Sequence, residues 1–522
     1  MSVVWPRRAG PRCGCAALAG ALGAVALLPG SFAPLAWVSV LPLFLALDGA
    51  RAGTTIAVAV SYAVVLGLGS VLPTVAPAAP LYFPLHAARA VVYTVAGLVV
   101  LSAAHGLLLG TALLARPAII GPWTVLWYGA LWVCWEEIRT LAFPYYPAAA
   151  LGISQHDGAA VLQVASLGGL AAVTFTIVSF NAGLAAGFQR GPSLRRRLAA
   201  AGVGVTVAAG AVAWGERRLA APDLPSPPVA IRAIDIGAMT PSASTLDRYL
   251  AASREVGAAG ETLLIWPESA LATDVERDRG AWGALQSLLV EQGTPLLLGG
   301  PGSARSGGSS FLHFNAMHLL RPAGGMQSYR KRFLVPFAER WPAMLGDPPP
   351  GITHLDAGRE LPVFRLPHTA FGVLICFEIA DAAAARAIAG AGALFIVNAT
   401  NDAWFVRGAP PIHFPLAAVR AVETGLPVVR VANVGRSAII DRFGREVATA
   451  RPSGSVTVLA GDVPAASPTL YSRVGDVFLG LCAIAVLAGL VRGAMGARTR
   501  SRRYPTSSSP YASRTSARPR RR

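Results

Sequence analysis

Lysine is almost absent from this sequence of 522 residues. Of its 45 basic residues only Lys331 is a lysine, so the other 44 are arginines. Charged residues of every kind make up 14 % of the chain, whereas a soluble globular domain carries about 25 %. The five cysteines show neither the paired spacing of a disulfide framework nor a metal-binding CxxC pattern. The sequence therefore argues against a single soluble globule, and it predicts no metal site.

Hydrophobic residues are abundant, at 53 %, and they change the meaning of the basic charge. A net charge of +18 would suggest a nucleic-acid partner in a polar chain, but scarce charge and high hydrophobicity argue against a nucleic-acid-binding or disordered chain. Residues 228–462 hold 21 basic and 20 acidic residues, a net of +1, whereas residues 492–522 hold ten arginines. This distribution predicts a polytopic membrane protein that carries a soluble domain.

Long runs without any charged residue locate the predicted membrane spans. The first run is long enough for two short spans and each of the others allows one, so about eight spans are predicted. The runs cover 13–47, 52–88, 90–115, 117–135, 158–189, 198–215 and 477–491. Because 52–88 exceeds one span, its end at 73–84 is predicted to be a loop or a re-entrant piece. A secretory signal peptide is the alternative interpretation of residues 1–30.

The placement of arginine predicts the orientation of the spans, because cytoplasmic flanks are enriched in positive charge. With both termini in the cytoplasm, the inner flanks carry 19 arginines and the short outer flanks carry five. Seven spans then precede the soluble domain and place it outside the cytoplasmic membrane. The predicted divisions are a membrane region at 1–219, the domain at 228–462, a last span at 473–495 and a basic, disordered cytoplasmic tail at 496–522.

The segment 228–462 has the pattern of an α/β domain and is long enough for a core of its own. Its β-rich runs are 228–236, 262–266, 295–299, 371–376, 393–397, 427–432 and 437–441, and helical patterns include 244–258, 279–291 and 411–424. Glu268, Lys331 and Cys376 each lie in a motif at the end of an apolar run. The ends of strands in α/β sheets are where functional sites collect, so these three residues are the candidates for chemistry.

Each of the three residues has an ordinary interpretation and a chemical one. Lys331 could be a chance surface lysine, but a chain that uses arginine for every other cation indicates a task that needs a compact ammonium. Cys376 could be a small buried core residue, which is the commonest state of a free cysteine. As a nucleophile it needs a base and positive charge, which Glu268 and Lys331 can supply. Glu268 alone could be a solvated turn residue, so the hypothesis rests on all three together.

The motifs that contain these residues resemble the Glu-Lys-Cys triad of the nitrilase superfamily, which has an α-β-β-α sandwich fold. They are Trp266-Pro267-Glu268, the segment around Lys331, and Ile375-Cys376-Phe377-Glu378.

More narrowly, the chain resembles the apolipoprotein N-acyltransferase family. The family signature of a lysine, Leu-Val-Pro-Phe and a glutamate is present as Lys331, 334–337 and Glu339, and a second family stretch is present at 401–405. The resemblance covers about residues 13–495. It implies about eight transmembrane helices and an extracytoplasmic nitrilase-like α-β-β-α sandwich domain. Phe377 departs from the tyrosine that is usual after the catalytic cysteine.

The resemblance implies an acyltransferase that acts in the last step of bacterial lipoprotein maturation. It would N-acylate the α-amino group of the diacylglyceryl-cysteine at the N-terminus of apolipoproteins, with a phospholipid as acyl donor. The acyl chain would pass through a thioester on Cys376, with Glu268 as general base and Lys331 stabilising the oxyanion. No cofactor is implied, and the partners would be the phospholipid, the lipoprotein and the membrane.

The resemblance also implies supporting residues. Glu339 would support the lysine and position the acceptor amine, and Glu378 would orient the cysteine loop. A salt bridge within the loops is the alternative for both carboxylates. Trp404 and Phe405 are candidates for an acyl-chain channel, although they are equally plausible as core aromatics.

Other functions remain open at the level of sequence. A membrane-tethered nitrilase-type amidase would use the same three residues with water as acceptor, but a hydrolase of small amides needs no platform of eight spans. A transporter or scaffold with an inactive domain is the third class, and the near absence of charge in the spans argues against transport. The sequence gives no oligomeric state, although the spans around the domain favour a monomer.

Three further features are expected to be structural. The run 299–302 is rich in glycine but lacks the Lys-Ser/Thr of a phosphate-binding loop, so a turn is predicted there. Glu136 and Glu137, beside Arg139 at the outer end of a predicted span, are expected to anchor that span at the membrane interface. His413 begins a helical pattern and is expected to have a structural role.

Overall fold

The computed structural model describes most of the chain between residues 9 and 503. Short stretches fall outside the described residues, namely 29–31, 83–86, 118–120, 143–148, 158–159, 190, 223, 226–228, 239–240, 243, 258–260, 306–310, 337, 342–346, 348–353, 405–412 and 453–455. Side chains are not described at 78–82, 87, 142, 404 and 493–503.

The N-terminal part of the chain is helical. Its helices are α1 (Ala9–Ala26), α2 (Ala36–Ser39), α3 (Leu41–Ala46), α4 (Ala52–Tyr82), α5 (Ala87–Leu113), α6 (Pro122–Ala142), α7 (Ala165–Phe188) and α8 (Leu194–Leu219). Single 3-10 turns at Ala33–Leu35, Leu151–Gln155 and Ala160–Val164 lead into or connect these helices. Many of their buried apolar side chains contact one another in a single cluster, which also includes Val419 and Val422 of the following domain.

The domain that follows contains two six-stranded sheets. The strands are β1 (Ala230–Asp235), β2 (Thr262–Ile265), β3 (Leu296–Arg305), β4 (Phe311–Leu320), β5 (Met326–Arg330), β6 (Val363–Leu366), β7 (Thr369–Ile375), β8 (Phe395–Asn401), β9 (Val428–Asn433), β10 (Ser437–Ile440), β11 (Glu446–Ala450) and β12 (Thr457–Asp462). The first sheet has the order β12-β1-β2-β3-β4-β5 and the second the order β11-β10-β9-β8-β7-β6. In each sheet three central strands are parallel, β1-β2-β3 and β7-β8-β9, and the other neighbours are antiparallel.

The two sheets pack face to face and helices cover their outer faces. The inner apolar layer joins side chains of both sheets, such as Ile231 and Leu263 on the first and Val373 and Val429 on the second. Helices α9 (Thr245–Val256) and α10 (Arg279–Gln292) pack on the first sheet. Helices α11 (Ala382–Gly390) and α12 (Phe414–Thr424) pack on the second. The predicted α-β-β-α sandwich is therefore confirmed.

The chain ends with α13 (Leu470–Val474) and α14 (Val477–Arg503). Five helices in the described part are long and apolar enough to cross a membrane, namely α1, α4, α5, the segment 160–188 that includes α7, and α8. Shorter apolar helical stretches lie at 33–46 and 477–492, and α6 adds a further segment of 21 residues. These eight segments overlap the predicted charge-free runs, and α6 continues past the end of its run at 135 to Ala142. The division of the chain at 219, 228, 462, 473 and 495 stays a prediction, and α14 continues past its last boundary.

Helix α4 differs from the expectation for its C-terminal end. A loop or re-entrant piece was expected at 73–84, but the helix continues through Pro73 and Pro77 to Tyr82. Proline removes one backbone donor, and helices in an apolar environment nevertheless keep their remaining internal hydrogen bonds because no water replaces them.

Glu136 also differs from its expected role as an interfacial anchor, because its side chain is buried. Its Oε1 accepts hydrogen bonds from the backbone N–H of Leu151 at 2.9 Å and from Trp132 Nε1 at 3.2 Å. Its Oε2 accepts a bond from Thr174 Oγ1 at 3.0 Å. The carboxylate thus joins α6 to the turn after it and to α7. Glu137, one position along the helix, is exposed.

The soluble domain is attached to the membrane helices through an interruption of α7. Gly168 and Gly169 have non-helical backbone angles there, and the freed backbone N–H of Leu170 donates to Glu423 Oε1 of α12 at 2.7 Å. Arg420 and Glu423, both buried, form an ion pair at 3.1 Å beside this contact. A carboxylate of the domain therefore caps a broken membrane helix.

The conformation of Gly169 leads to the first prediction. Its φ of +69° and ψ of −172° lie in a region used almost only by glycine, and an added Cβ would lie 2.7 Å from the ring of Tyr471. Gly169→Ala is expected to destabilise the protein by about 1–3 kcal/mol and to lower the midpoint of thermal unfolding. Gly187→Ala in the same helix is the control, since a Cβ there meets no atom within 4 Å. Equal midpoints for the two variants would contradict the prediction.

Candidate active site

The three predicted residues lie at one edge of the sandwich, each after the end of a strand. Glu268 follows β2, Lys331 comes directly after β5, and Cys376 comes directly after β7. All three side chains are buried, with exposed fractions of 4 %, 1 % and 8 %. Because β2 and β5 belong to the first sheet and β7 to the second, the site lies between the carboxyl ends of strands from both sheets.

Lys331 binds two carboxylates. Its Nζ donates to Glu339 Oε1 at 2.9 Å and to Glu268 Oε1 at 3.3 Å. Asn315 of β4 contacts the same two oxygens, since its Nδ2 donates to Glu268 Oε1 at 2.7 Å and to Glu339 Oε1 at 2.9 Å. An ammonium and an amide thus hold two carboxylates side by side, which would otherwise repel each other.

The electrostatic balance at Lys331 favours its charged form. Burial, the largest effect, acts to lower the pKa of Lys331, but the negative charges of Glu268 and Glu339 outweigh it and raise the pKa well above its ordinary value. The ammonium is therefore present at every physiological pH, and it supplies a fixed positive charge beside Cys376.

Glu268 is held from a second direction as well. Its Oε2 accepts a hydrogen bond from the backbone N–H of Asn401, at the end of β8, at 2.7 Å. The loop that carries it passes so close to β3 that a Cβ on Gly299 would lie 2.3 Å from the carbonyl oxygen of Pro267. Gly299 belongs to the strand β3, so the expected turn at 299–302 is wrong. Position 299 has to be glycine because the backbone of the loop around Pro267 occupies the space that a side chain would need. In the sequence, such a glycine resembles a turn glycine.

Cys376 has a strained backbone and a neutral thiol. Its φ is +53°, which is rare for a residue other than glycine, and such strain concentrates at functional sites. Burial, followed by the charge of Glu268, raises the pKa of Cys376 to about 12, while the charge of Lys331 and a hydrogen bond with the Thr400 side chain act in the opposite direction. The resting thiol therefore keeps its proton, and a base has to remove that proton during attack.

Glu339 and Glu378 occupy different places around the triad. Glu339 contacts Lys331 directly, and its Oε2 accepts from the backbone N–H of Val335 at 2.8 Å. Glu378 instead lies behind the cysteine loop, with Oε2 accepting from the N–H of Ile375 at 2.7 Å and Oε1 from the N–H of Arg332 at 2.7 Å. Glu378 therefore joins the loop of the nucleophile to the strand end that carries the lysine.

Further hydrogen-bond donors around Glu378 favour its carboxylate form. Tyr329 Oη lies 2.9 Å from Oε1 and 2.8 Å from Oε2, and the N–H of Phe333 donates to Oε1 at 3.1 Å. Burial raises the pKa of Glu378, and the bond from the Ile375 N–H together with the charge of Lys331 opposes that rise.

Replacing Glu378 by glutamine is expected to disturb the cysteine loop. One of its two oxygens would become an NH₂ group that faces a backbone N–H, so a buried hydrogen bond is lost and two donors oppose each other. A bond to a charged group contributes about 1.5–3 kcal/mol, so a lower midpoint of thermal unfolding and a loss of activity of at least about 10-fold are expected. Glu255→Gln, at an exposed position of α9, is the control, and an E378Q protein that matched it in both measurements would refute this role.

The remaining predicted residues are less well placed. Trp404 belongs to a short 3-10 turn after β8, but its side chain is not described, and Phe405 lies outside the described residues. The channel assignment therefore stays a prediction. His413 is fully buried at the start of α12. Asn315 was not predicted, because its partner Glu268 lies 47 residues away from it. Asn401 begins the family stretch 401–405, but the contact of its backbone N–H with Glu268, 133 residues away, was not predicted.

Comparison with known proteins places this geometry in a family. Residues 229–471 match the model of the carbon-nitrogen hydrolase family, and residues 19–183 match the model of the apolipoprotein N-acyltransferase N-terminal domain. An apolipoprotein N-acyltransferase of Geobacter metallireducens is 31 % identical over 389 residues, which cover 69 % of this chain and 73 % of that protein. The chain belongs to the apolipoprotein N-acyltransferase family.

A second relative agrees with this assignment. An apolipoprotein N-acyltransferase of Gloeobacter violaceus is 31 % identical over 397 residues, covering 72 % of this chain and 73 % of that protein. Among solved structures, an amidase from Nesterenkonia sp. is 16 % identical, with a TM-score of 0.37, and covers 50 % of this chain and 98 % of that one. As a member of the apolipoprotein N-acyltransferase family the chain is a membrane-associated acyltransferase, which confirms the predicted enzyme class and leaves the amidase interpretation with less support.

Proposed function

We propose that Glu268, Lys331 and Cys376 transfer an acyl chain from a phospholipid to the α-amino group of a diacylglyceryl-cysteine at the N-terminus of a lipoprotein. The assignment of residues rests on the contact of Lys331 Nζ with Glu268 Oε1 at 3.3 Å. Cys376, directly after β7, lies at the same edge of the sandwich. A base, a cation and a thiol meet there, and acyl transfer through a covalent intermediate needs all three.

In the first half of the reaction Glu268 takes the proton from Cys376 as the sulfur attacks the ester carbonyl of the phospholipid. The carbonyl oxygen becomes negative, and the ammonium of Lys331 stabilises it. The bond between the carbonyl carbon and the glycerol oxygen then breaks, and that oxygen takes the proton from Glu268. A lysophospholipid leaves, and the acyl chain remains on Cys376 as a thioester.

In the second half the α-amino group of the lipoprotein attacks the thioester carbonyl. Glu268 accepts a proton from the amine nitrogen, the new carbon–nitrogen bond forms and the carbon–sulfur bond breaks. The sulfur recovers its proton from Glu268, so the enzyme returns to its resting state. Glu339, which contacts Lys331, would orient the incoming amine. A site next to lipid also limits the access of water, which would otherwise hydrolyse the thioester.

The sidedness of the protein forms part of the same proposal. The excess of 19 inner over five outer arginines supports a domain outside the cytoplasmic membrane and cytoplasmic termini. An impermeant thiol reagent on intact cells tests this arrangement with two exposed positions, Val290→Cys on α10 and Arg51→Cys before α4. Labelling of residue 290 without permeabilisation, and of residue 51 only after it, is expected. Light scattering of the detergent-solubilised protein tests the proposed monomer.

The acyl-enzyme is the decisive species for the reaction. Purified protein incubated with phospholipid vesicles should gain the mass of one acyl chain, hydroxylamine should remove it, and lysophospholipid should appear. Cys376→Ala should abolish the gain, whereas Cys134→Ala, which removes a thiol of α6, should preserve it. Absence of a Cys376-dependent adduct and of lysophospholipid would overturn the proposal.

The acceptor is identified by a second addition. A diacylated lipopeptide with a free α-amino group should discharge the adduct and receive the acyl chain as an amide. An N-acetylated lipopeptide of the same sequence is the control and should leave the thioester intact. Discharge only to free fatty acid, with or without the lipopeptide, would favour the membrane-tethered amidase.

A further inference from the structure

A second polar network lies next to Cys376 and consists of residues of β8, β9 and the start of α12. The parallel register of β7 and β8 pairs Ile375 with Ala399, so the next residues, Cys376 and Thr400, stand next to each other. Thr400 is fully buried, and its side chain makes a hydrogen bond with the thiol. The hydroxyl therefore contacts the reacting atom itself.

The Thr400 hydroxyl is in turn held by His413. The Oγ1 of Thr400 lies 2.9 Å from Nε2 of His413, and the same Nε2 lies 3.4 Å from Oδ1 of Asp402. Burial, followed by the charge of Arg430, lowers the pKa of His413, so the imidazole is neutral and has one N–H. When Nε2 carries that hydrogen it donates to Thr400 Oγ1, and the hydroxyl keeps its own hydrogen for the sulfur or for Oδ1 of Asp402, which lies 3.5 Å from Thr400 Oγ1.

Arg430, on β9, connects this chain to the backbone of the nucleophile. Its Nη2 binds both oxygens of Asp402, at 2.9 and 2.7 Å. Its Nη1 donates to Oδ1 of Asn398 at 3.1 Å, and Nδ2 of Asn398 donates to the carbonyl oxygen of Cys376 at 3.1 Å. A single arginine with no exposed surface thus reaches the cysteine by two routes, one to its side chain and one to its main chain.

We propose that Thr400 is a further catalytic residue, which donates a hydrogen bond to the sulfur of Cys376 as its negative charge develops, and that His413, Asp402 and Arg430 position it for that task. The proposal deepens the acyl-transfer function above and rests on it for the identity of the reaction.

The need for such a donor follows from the charges of Glu268 and Lys331, which both act on the thiol. Lys331 already binds two carboxylates, and in the transition state it also has to stabilise the carbonyl oxygen. Glu268 carries a negative charge next to the sulfur. A donor with no charge of its own, aimed at the sulfur, stabilises the thiolate without competing for the lysine.

The network also holds the Thr400 hydroxyl in one orientation. Burial, the largest single effect, acts to raise the pKa of Asp402, but the charge of Arg430 and the contact with His413 together bring it down to about 2. The carboxylate therefore stays ionised, and its two oxygens remain acceptors. A Cβ added to Gly435 would lie 2.1 Å from Oδ2 of Asp402, so the surrounding backbone leaves the carboxylate little freedom. A fixed acceptor fixes the imidazole, and the imidazole then fixes the hydroxyl.

Alkylation of Cys376 by iodoacetamide, followed on its own peptide by mass spectrometry in the full chain, tests the proposal without any lipid. Thr400→Val keeps the shape and removes the hydroxyl, and it should slow alkylation at pH 8 by about 10- to 100-fold. Thr400→Ser keeps the hydroxyl and should stay within about threefold of the wild-type rate. Equal rates for the valine and serine variants would overturn the role of the hydroxyl.

A second pair tests the positioning role of His413. Glutamine can place an N–H near the position of Nε2, whereas leucine cannot, so His413→Gln should alkylate faster than His413→Leu by about 10-fold. A purely structural histidine would give equal alkylation rates in the two variants that remain folded, as judged by thermal unfolding. Thioester formation from phospholipid is measured in parallel. Should the wild-type protein form no thioester, the proposed function fails, yet the two alkylation comparisons still decide the role of the network.

Discussion

Lys331→Arg is expected to abolish thioester formation although the positive charge is kept. The lysine is 1 % exposed, and its Nζ lies within 3.3 Å of Glu268 Oε1 and 2.9 Å of Glu339 Oε1. A guanidinium is wider and planar, and it binds one carboxylate with two parallel hydrogen bonds instead of sitting as a point charge between two. The substitution therefore has to move at least one of the carboxylates or push the cation away from the reacting carbonyl.

The expected loss combines two effects. Removing one donor to an oxyanion typically lowers the rate by about 10²–10³-fold, and overpacking a buried position costs about a further 1–3 kcal/mol. A fall of at least about 10³-fold in the rate of acyl-enzyme formation, measured by intact mass in a single turnover, is expected. Arg332→Lys, the reciprocal exchange one residue along at a partly exposed position, is the control and should retain activity. An active Lys331→Arg enzyme would show that any cation suffices here.

The solitary lysine illustrates what the sequence could predict. A composition that avoids lysine makes one lysine conspicuous, and the ends of apolar runs mark Glu268 and Cys376 in the same way. The charge-free runs likewise predicted the helical segments, because an apolar environment tolerates few charges over the length of a span. Each of these signals is local, so one sequence is sufficient to detect it.

The features that escaped prediction depend on distant partners. Asn315 looks like an ordinary polar residue of β4, yet it holds Glu268, and Gly299 looks like a turn residue although a neighbouring loop takes the place of its side chain. Glu136 looks like an interfacial residue until the three donors around it are seen. No periodicity encodes such contacts, because they arise only when elements far apart in sequence pack together.

Arg430 is an intermediate case, since its signal was present in the sequence. It stands between valines in the run 428–431, which forms a fully buried strand, and a buried arginine has to have strong acceptors. The sequence could have indicated a buried ion pair at this point. It could not have indicated that the partners, Asp402 and Asn398, connect the arginine to the nucleophile.

Glu268→Gln is expected to separate two properties of Cys376 that usually change together. The amide cannot accept a proton, so thioester formation should fall by about 10²–10⁴-fold, the usual contribution of a general base. The negative charge of Glu268 is also one of the causes that raise the pKa of Cys376, after burial. Without that charge the pKa of Cys376 should fall, and alkylation by iodoacetamide at fixed pH should become faster while acyl transfer becomes slower.

The pH dependence of thioester formation by Glu268→Gln is a second test of Glu268 as the general base. Burial remains in Glu268→Gln and Lys331 still bears its charge, so the thiol pKa stays above neutrality, and below that pKa the thiolate fraction rises about tenfold per pH unit. Thioester formation by the variant should therefore recover as the pH increases from 7 to 9, whereas the wild-type enzyme, which uses its base, should depend less on pH. Glu255→Gln should follow the wild-type profile. A variant that lost acyl transfer and alkylation together, with no recovery at high pH, would indicate a collapsed site and would contradict the assignment of Glu268 as the base.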